Sequence, residues 1–282
     1  MTRCSPLAAR EVMAGTAPRA RWWWLIDVPG PWGRDPLATC RVEAVRDLAS
    51  TPERRVLLVR RTGRHPAADP SGPVRIWVAG ALPGDPQPRV AVVADPRELL
   101  AWDPAHPPEG LLAADPEAPR LVICTNARRD LCCGLDGRAL AQAVDSPLVW
   151  ECSHLGGHRF APTALDVRQG VAYGRLTAEV ARRLVSDDGH GGMADASLSR
   201  WSVPWMRGRT SLPPAAQAAE IHLLGQGCAP DPGSLMLTDE PDGSVTVRFA
   251  GCDPVRMTQV PGGTRPASCG AEPEPWSDWI AA

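Results

Sequence analysis

The stretch RLVICTNARRDLCCGLDGRALAQAVDSPLVWEC, Arg120 to Cys152, decides how the chain is read. Its opening run RLVICT is short, apolar and β-branched, which predicts a buried strand. DGRALAQAV (136–144) then reads as a helix and LVWEC (148–152) as a second strand. A strand, a helix and a strand in this order form a β-α-β unit, and the right-handed crossover rule makes the two strands parallel. TALDV (163–167), GVAYG (170–174) and the helical LTAEVARRLV (176–185) follow, with Leu176, Val180 and Leu184 recurring every four residues on one helix face.

The same order of elements occurs earlier in the chain. RWWWLIDV (21–28), a helix expected in DPLATCRVEAVRDLA (35–49), RRVLLVRR (54–61), VRIWVAG (74–80), RVAVVAD (89–95) and the helical PRELLAW (96–102) again give β-α-β-β-β-α. This is the plan of a thioredoxin-like fold. The sequence therefore predicts an α/β protein of tandem thioredoxin-like modules, residues 1–104 and 118–187, joined by the proline-rich DPAHPPEGLLAADPEAP (103–119). Beyond a glycine-rich loop SDDGHGGMADAS (186–197), a helix in LPPAAQAAEIHLLG, strands GSVTVRFAG and PVRMTQV and the tail ASCGAEPEPWSDWIAA predict a small C-terminal α+β appendage, 188–282. Trp201, Trp205, Trp276 and Trp279 are expected to pack that tail onto the body.

Composition narrows the function. A chain of 282 residues with 44% apolar residues can bury a substantial core. Its formal charge of −2 offers no general field for nucleic acid or an anionic membrane. RWWWLIDVPG is too brief for a secretory h-region and no stretch reaches the length of a membrane span, so a cytoplasmic protein is expected. The nine cysteines, an odd number at irregular spacings, do not form a secreted disulfide framework. Cys4, Cys40, Cys228 and Cys252 are expected to fill cores.

Two loops hold the chemistry. CTNARRDLCCG places Cys124 at the end of a strand and Cys133 before a helix, and CSHLGGHRFA contains His154 and His158. Paired glycines between the histidines argue for a loop rather than a helix. In this topology both loops emerge at one end of the sheet, so Cys124, Cys133, His154 and His158 could meet there as a Cys2His2 set. Gly134, Gly156 and Gly157 would let backbone N–H groups approach a compact inorganic group.

These residues resemble the sucrase/ferredoxin-like family, whose core is a thioredoxin-like [2Fe-2S] ferredoxin. AGTAPRARWWWLIDVPGPWGRDPL looks like the opening block of that family, CTNARRDLCCG and WECSHLGGHRFAPT like its cluster region, and GRTSLPPAAQAAE and SCGAEPEPW like its later blocks. The resemblance implies a [2Fe-2S] cluster held by Cys124, Cys133, His154 and His158, and an electron-transfer role with a redox partner protein that the sequence does not identify. The family loop often reads Cys-Thr-His-Gly, where this chain has Asn126 and Ala127. Cys132 competes with Cys133 for a ligand position, with the family spacing favouring Cys133, and Cys152 is a spare. Neutral imidazole ligands imply a potential raised toward the roughly −150 to +300 mV of Rieske centres, and reduction coupled to proton uptake at alkaline pH.

Arg128, Arg129 and Arg159 flank this site and are expected to stabilise added negative charge or to dock an acidic donor, with an ordinary solvated loop as the alternative. Pro162 stands where thioredoxin-like folds commonly carry a cis proline. The same four ligands would also serve a structural zinc ion, although C-x8-C departs from the usual knuckle spacing. A thiol oxidoreductase would need a redox pair, and the chain has no C-x-x-C. HLGGH lacks the glutamate of H-E-x-x-H, and no pair of carboxylates marks a glycosidase. A redox carrier is thus favoured over an enzyme, with dimerisation left open.

Overall fold

The computed structural model describes residues 2–48, 50–51, 53–63, 66–85, 88–103, 113–186 and 200–282. The expected glycine-rich loop beyond Ser186 and the middle of the proline-rich linker, 104–112, lie outside them.

Strands β1 (Trp22–Asp27) and β2 (Arg54–Arg61) run parallel, β3 (Val74–Gly80) is antiparallel to β1, and β4 (Arg89–Val93) is antiparallel to β3. β5 (Ala113–Ala114) closes that edge. The pattern recurs in the second half: β6 (Leu121–Cys124) is parallel to β7 (Val149–Cys152) and antiparallel to β8 (Ala164–Asp166), which pairs with β9 (Val171–Tyr173). β10 (Met206–Arg209), which the sequence reading missed, adds an outer strand beside β9. β2 pairs antiparallel with β7, so the two halves share one ten-stranded mixed sheet in the order β10-β9-β8-β6-β7-β2-β1-β3-β4-β5. Each half thereby covers an edge that would otherwise expose unpaired backbone groups.

Strand alternation gives the sheet two buried faces. Trp24, Ile26, Val56 and Leu58 point to one face and pack with Val45, Leu99 and Trp102. Trp23, Leu25, Leu57 and Val59 point to the other and share a core with Val122, Cys124 and Trp150 of the second half. Trp77 and Trp150 meet there edge to face, centroids 4.9 Å apart. The cysteine loops and the N-terminal segment cover this shared face, through Cys4, Cys132, Cys133 and Leu155.

The helix expected at 35–49 is reduced to the single turn α2 (Glu43–Arg46). Asp35 caps one helical turn, its side chain accepting from the Ala38 N–H at 3.1 Å and its carbonyl from the Thr39 N–H at 3.2 Å, but the chain is extended at Val42 (φ −81°, ψ 110°), which divides the segment before α2. PRELLAW likewise forms only a short 3-10 turn, Pro96–Ala101, capped by Asp95.

The C-terminal region is a four-stranded antiparallel sheet of β11 (Met236–Asp239), β12 (Val245–Arg248), β13 (Val255–Pro266) and β14 (Pro273–Ala281). What read as a tail is β14, paired with β13 from Met257 opposite Ala281 to Pro266 opposite Pro273. Between the two sheets lies a helix, Pro214–Gln226, apolar on opposite sides because both are covered. Ala216, Ala219 and Leu223 pack on Val247, Phe249 and Met257, whereas Ile221 and Leu224 pack with Tyr173 and Met206 of the large sheet. Trp279 packs on the small-sheet side of this helix, and Trp201 and Trp205 pack into the core of the large sheet. Cys228, expected to fill a core, instead forms a disulfide with Cys252, across Cα atoms 6.0 Å apart. Cys40 is buried in the core as expected.

One buried ion pair fixes this helix to the large sheet: Arg209 Nε donates to Glu220 Oε1 at 2.8 Å, with both side chains nearly inaccessible. Removing one member of such a pair leaves an uncompensated buried charge. Glu220→Ala should therefore lower unfolding stability by about 3–5 kcal/mol in guanidinium titrations, while the double variant Arg209→Met/Glu220→Leu should recover most of that loss.

Candidate metal centre

The centre forms where β6 and β7 end. Their parallel register sets Cys124 beside Cys152, and the Thr125 N–H donates to the Cys152 carbonyl at 3.2 Å. The chain then turns through Asn126–Asp130 and enters a helical turn at Leu131, which widens into a π turn, Cys133–Gly137, and continues as α3 (Arg138–Val144). Gly137 sits against the end of β6, where a Cβ would collide with the Cys124 carbonyl oxygen. Successive residues of a helical turn point about 100° apart. Cys132 and Cys133 consequently face different neighbours.

Cys133 faces the histidine loop: its Sγ lies 3.9 Å from His158 Nδ1. The His154 and His158 rings stack at 4.9 Å between centroids and 20° between planes. Cys124 lies next to Cys133, Cys152 and His154, the neighbours that set its acidity. Of the four expected ligands, Cys133 meets His158, His154 stacks on His158, and Cys124 stands beside Cys152 at the strand ends; Cys133 rather than Cys132 lies against a histidine. Asp130, Cys133 and His158 place potential ligand atoms within 4.8 Å of one another. His154 Nδ1 is buried with no hydrogen-bond partner among the described residues. The peptide Ala161–Pro162 next to this loop is cis.

Electrostatics sort the three neighbouring thiols. Hydrogen bonds from Cys133 and then Cys152 hold Cys124 well below the ordinary thiol range, so it ionises first. The same contact with Cys124 raises Cys133, and burial raises Cys152. Burial, followed by the neighbouring His154, lowers His158 from 6.5 to about 4.

Arg207 of β10 was missed by sequence reasoning, because an Arg-Gly-Arg run reads as solvated surface. It is fully buried, donates to the Gly156 carbonyl at 3.0 Å and to the Thr16 hydroxyl at 3.2 Å, and also bonds the Thr16 carbonyl. No carboxylate pairs with it among the described residues. Burial lowers its pKa to about 9, opposed by the nearby Cys133 and Cys124 sulfurs. Gly157, at φ 71°, lies under its guanidinium, which a Cβ would strike.

Of the three arginines expected to flank the site, Arg128 is exposed and Arg129 half-buried. Arg159 is committed to Glu11, donating from Nε at 2.7 Å, and Arg265 binds the same carboxylate at 2.8 Å. Asn126 ties the cysteine loop to the first half by donating to the Gly33 carbonyl at 2.9 Å. Glu151, buried one residue before Cys152, accepts from the Thr125 hydroxyl at 2.9 Å and from Arg60. A surface groove of about 450 Å³ lined by Arg41, Arg46, Asp95 and Arg97 holds no cysteine or histidine and is separate from this centre.

Two consequences are measurable. His158 binds a proton more readily when unfolded, so in the metal-free chain its contribution to stability is complete above pH 6.5 and is lost as pH falls toward about 4. The urea midpoint should drop over this range, and His158→Asn should flatten that part of the profile. Gly157→Ala should displace the histidine loop from Arg207 and reduce the metal bound per chain, measured by elemental analysis, far more than Gly156→Ala, whose Cβ meets open space.

Among the described residues no helix is long and apolar enough to cross a membrane. Neither a curated protein nor a solved structure matches the chain significantly. The family model described as sucrase/ferredoxin-like matches residues 13–200. With about two thirds of its length matched, and with the paired cysteine and histidine loops inside the matched region, the chain belongs to the sucrase/ferredoxin-like family.

Proposed function

We propose that the chain is an electron-transfer protein in which Cys124, Cys133, His154 and His158 hold one [2Fe-2S] cluster. The contact of Cys133 with His158, with His154 stacked on that ring and Cys124 at the adjoining end of β6, in a member of the sucrase/ferredoxin-like family, supports the reading. The donor set fits: two sulfurs, two ring nitrogens and an otherwise unpartnered His154 Nδ1. Such a cluster, when bound, takes up and releases a single electron, at a potential raised by imidazole ligation.

The chain supplies the surroundings. Burial of Cys124 and Cys133 keeps water from the sulfurs, while His154, only partly buried, gives a partner protein access. Arg207 places a fixed cation beside the sulfurs and favours added negative charge. Exposed Arg128, half-buried Arg129 and exposed Leu135 offer a docking surface for an acidic redox partner. Arg159, paired with Glu11, acts by position rather than as a free docking cation.

We further read residues 1–104 and 118–187 as thioredoxin-like units and 188–282 as an appendage; the support is the strand pairing repeated in the two halves. Seven of the nine cysteines are free, against the single Cys228–Cys252 disulfide; this balance favours a reducing compartment, and we place the carrier in the cytoplasm. A structural zinc ion on the same ligands is the second reading, favoured by the contact of Cys133 Sγ with His158 Nδ1 at 3.9 Å. Thiol exchange is disfavoured by the complete burial of Cys124, Cys133 and Cys152.

Anaerobically purified protein should contain about two iron and two acid-labile sulfide per chain and absorb in the visible. Cys124→Ser, Cys133→Ser and His158→Asn should abolish that absorption, and Cys132→Ala and Cys152→Ala should retain it. Zinc without sulfide, with imidazole in its ligand shell, would select the second reading, and colourless protein with neither iron nor zinc on imidazole would remove both. Arg207→Gln should lower the midpoint potential in a redox titration followed by absorption, with iron content retained.

A further inference from the structure

We propose that the chain carries a second, mononuclear metal site in which Cys4, Cys132, Cys269 and the Asp130 carboxylate hold a thiophilic divalent cation, with zinc as the ion this donor set fits. The site uses none of the four residues assigned above; Asp130, which also lies near Cys133 and His158, faces the three sulfurs of this site as well. Cys4 and Cys269 also lie outside the residues that the family model matches.

The geometry is that of a tetrahedron awaiting its centre. The Sγ atoms of Cys4, Cys132 and Cys269 lie 3.8, 3.3 and 3.7 Å apart taken pairwise. A zinc–sulfur bond of about 2.3 Å implies a sulfur–sulfur edge of about 3.8 Å, and a zinc–oxygen bond of about 2.1 Å implies a sulfur–oxygen edge of about 3.6 Å. Asp130 Oδ1 lies 3.9 Å from the Cys4 sulfur and 3.5 Å from the Cys269 sulfur. All four ligand atoms fall within 4.8 Å of one another.

The surroundings suit thiolates held on an ion better than three protonated thiols in a core. Asp130 is buried, and its oxygens accept from the backbone N–H groups of Cys132 at 2.9 Å and Cys269 at 2.8 Å, which aims the carboxylate at the sulfurs. The Cys4 N–H points at the Cys269 sulfur at 3.5 Å. Such donors orient ligands and tune their basicity. A carboxylate buried against three sulfurs is costly without a cation among them. A disulfide could pair only two of the three sulfurs, and all three are free.

Binding involves no change of oxidation state: each thiol gives its proton to water as its sulfur–metal bond forms. The ligands come from the first helical turn of the chain (α1, Cys4–Leu7), the turn that opens α3 and the connection between β13 and β14. One ion would therefore pin both ends of the chain to the residue preceding Cys133.

The test is metal analysis and X-ray absorption on the full-length protein purified with added Zn2+. Zinc should be present at about one per chain, with a shell of three sulfurs and one oxygen and no imidazole scattering. Co2+ added to the demetallated protein should give the visible bands of tetrahedral cobalt–thiolate, lost in Cys4→Ala and Cys269→Ala. Those variants should keep the absorption and iron of the Cys124-Cys133-His154-His158 group, while Cys133→Ser should keep the zinc. Absence of zinc from the wild type, a zinc shell containing imidazole, or a Cys132–Cys269 disulfide in freshly prepared protein on mass mapping would each overturn the proposal. Loss of iron instead of zinc in Cys269→Ala would do so too, by assigning that cysteine to the other centre. The wild-type zinc shell decides the question even if the alanine variants fail to fold.

Discussion

The close seating of one helical turn on the end of β6 governs the arrangement of this molecule. Gly137 permits it, because any larger residue would meet the Cys124 carbonyl. The seating brings Cys133 over the strand ends where Cys124 and Cys152 stand in register. It also turns Cys132 toward the chain termini. Two adjacent cysteines thus serve two neighbourhoods, since a helical turn rotates successive side chains by about 100°.

Buried charges hold the loops that complete these neighbourhoods. Arg207 reaches from β10 to the carbonyls of Thr16 and Gly156, joining the N-terminal segment to the histidine loop. Glu11 accepts from Arg159 and Arg265, joining that same segment to the end of the histidine loop and to β13. Asp130 accepts from the N–H of Cys132 in its own turn and from that of Cys269, 139 positions along the chain. Each group is costly to bury alone, so each demands that its partners be in place. The result is that residues from both termini become part of the centre's surroundings.

The rest of the fold supports this arrangement from outside. Pairing of β2 with β7 makes the first half a direct extension of the sheet that bears the cysteines. Asn126 reaches from the cysteine loop to Gly33 in that first half. On the other side, the helix Pro214–Gln226 is buried between two sheets, and the Cys228–Cys252 disulfide ties its end to the small sheet.

Strands β1, β2, β3, β6 and β7 were legible because runs such as RRVLLVRR and VRIWVAG record burial on both faces, a property of local composition. The loop cysteines and histidines were legible because a strand–loop–helix order fixes the end of the sheet at which they emerge. The helix at 35–49 was not, because the chain extends at Val42 between the turn that Asp35 caps and α2, a break that periodicity does not register. Nor were β14, the Cys228–Cys252 pairing or the gathering of Cys4 and Cys269 around Cys132. Those contacts join residues as many as 265 positions apart. Sequence by itself determined which segments become strands and which loops carry sulfur and imidazole, since both follow from neighbours along the chain. Tertiary structure alone decided which sulfurs meet, because that depends on how buried charges and sheet edges find partners from remote parts of the chain.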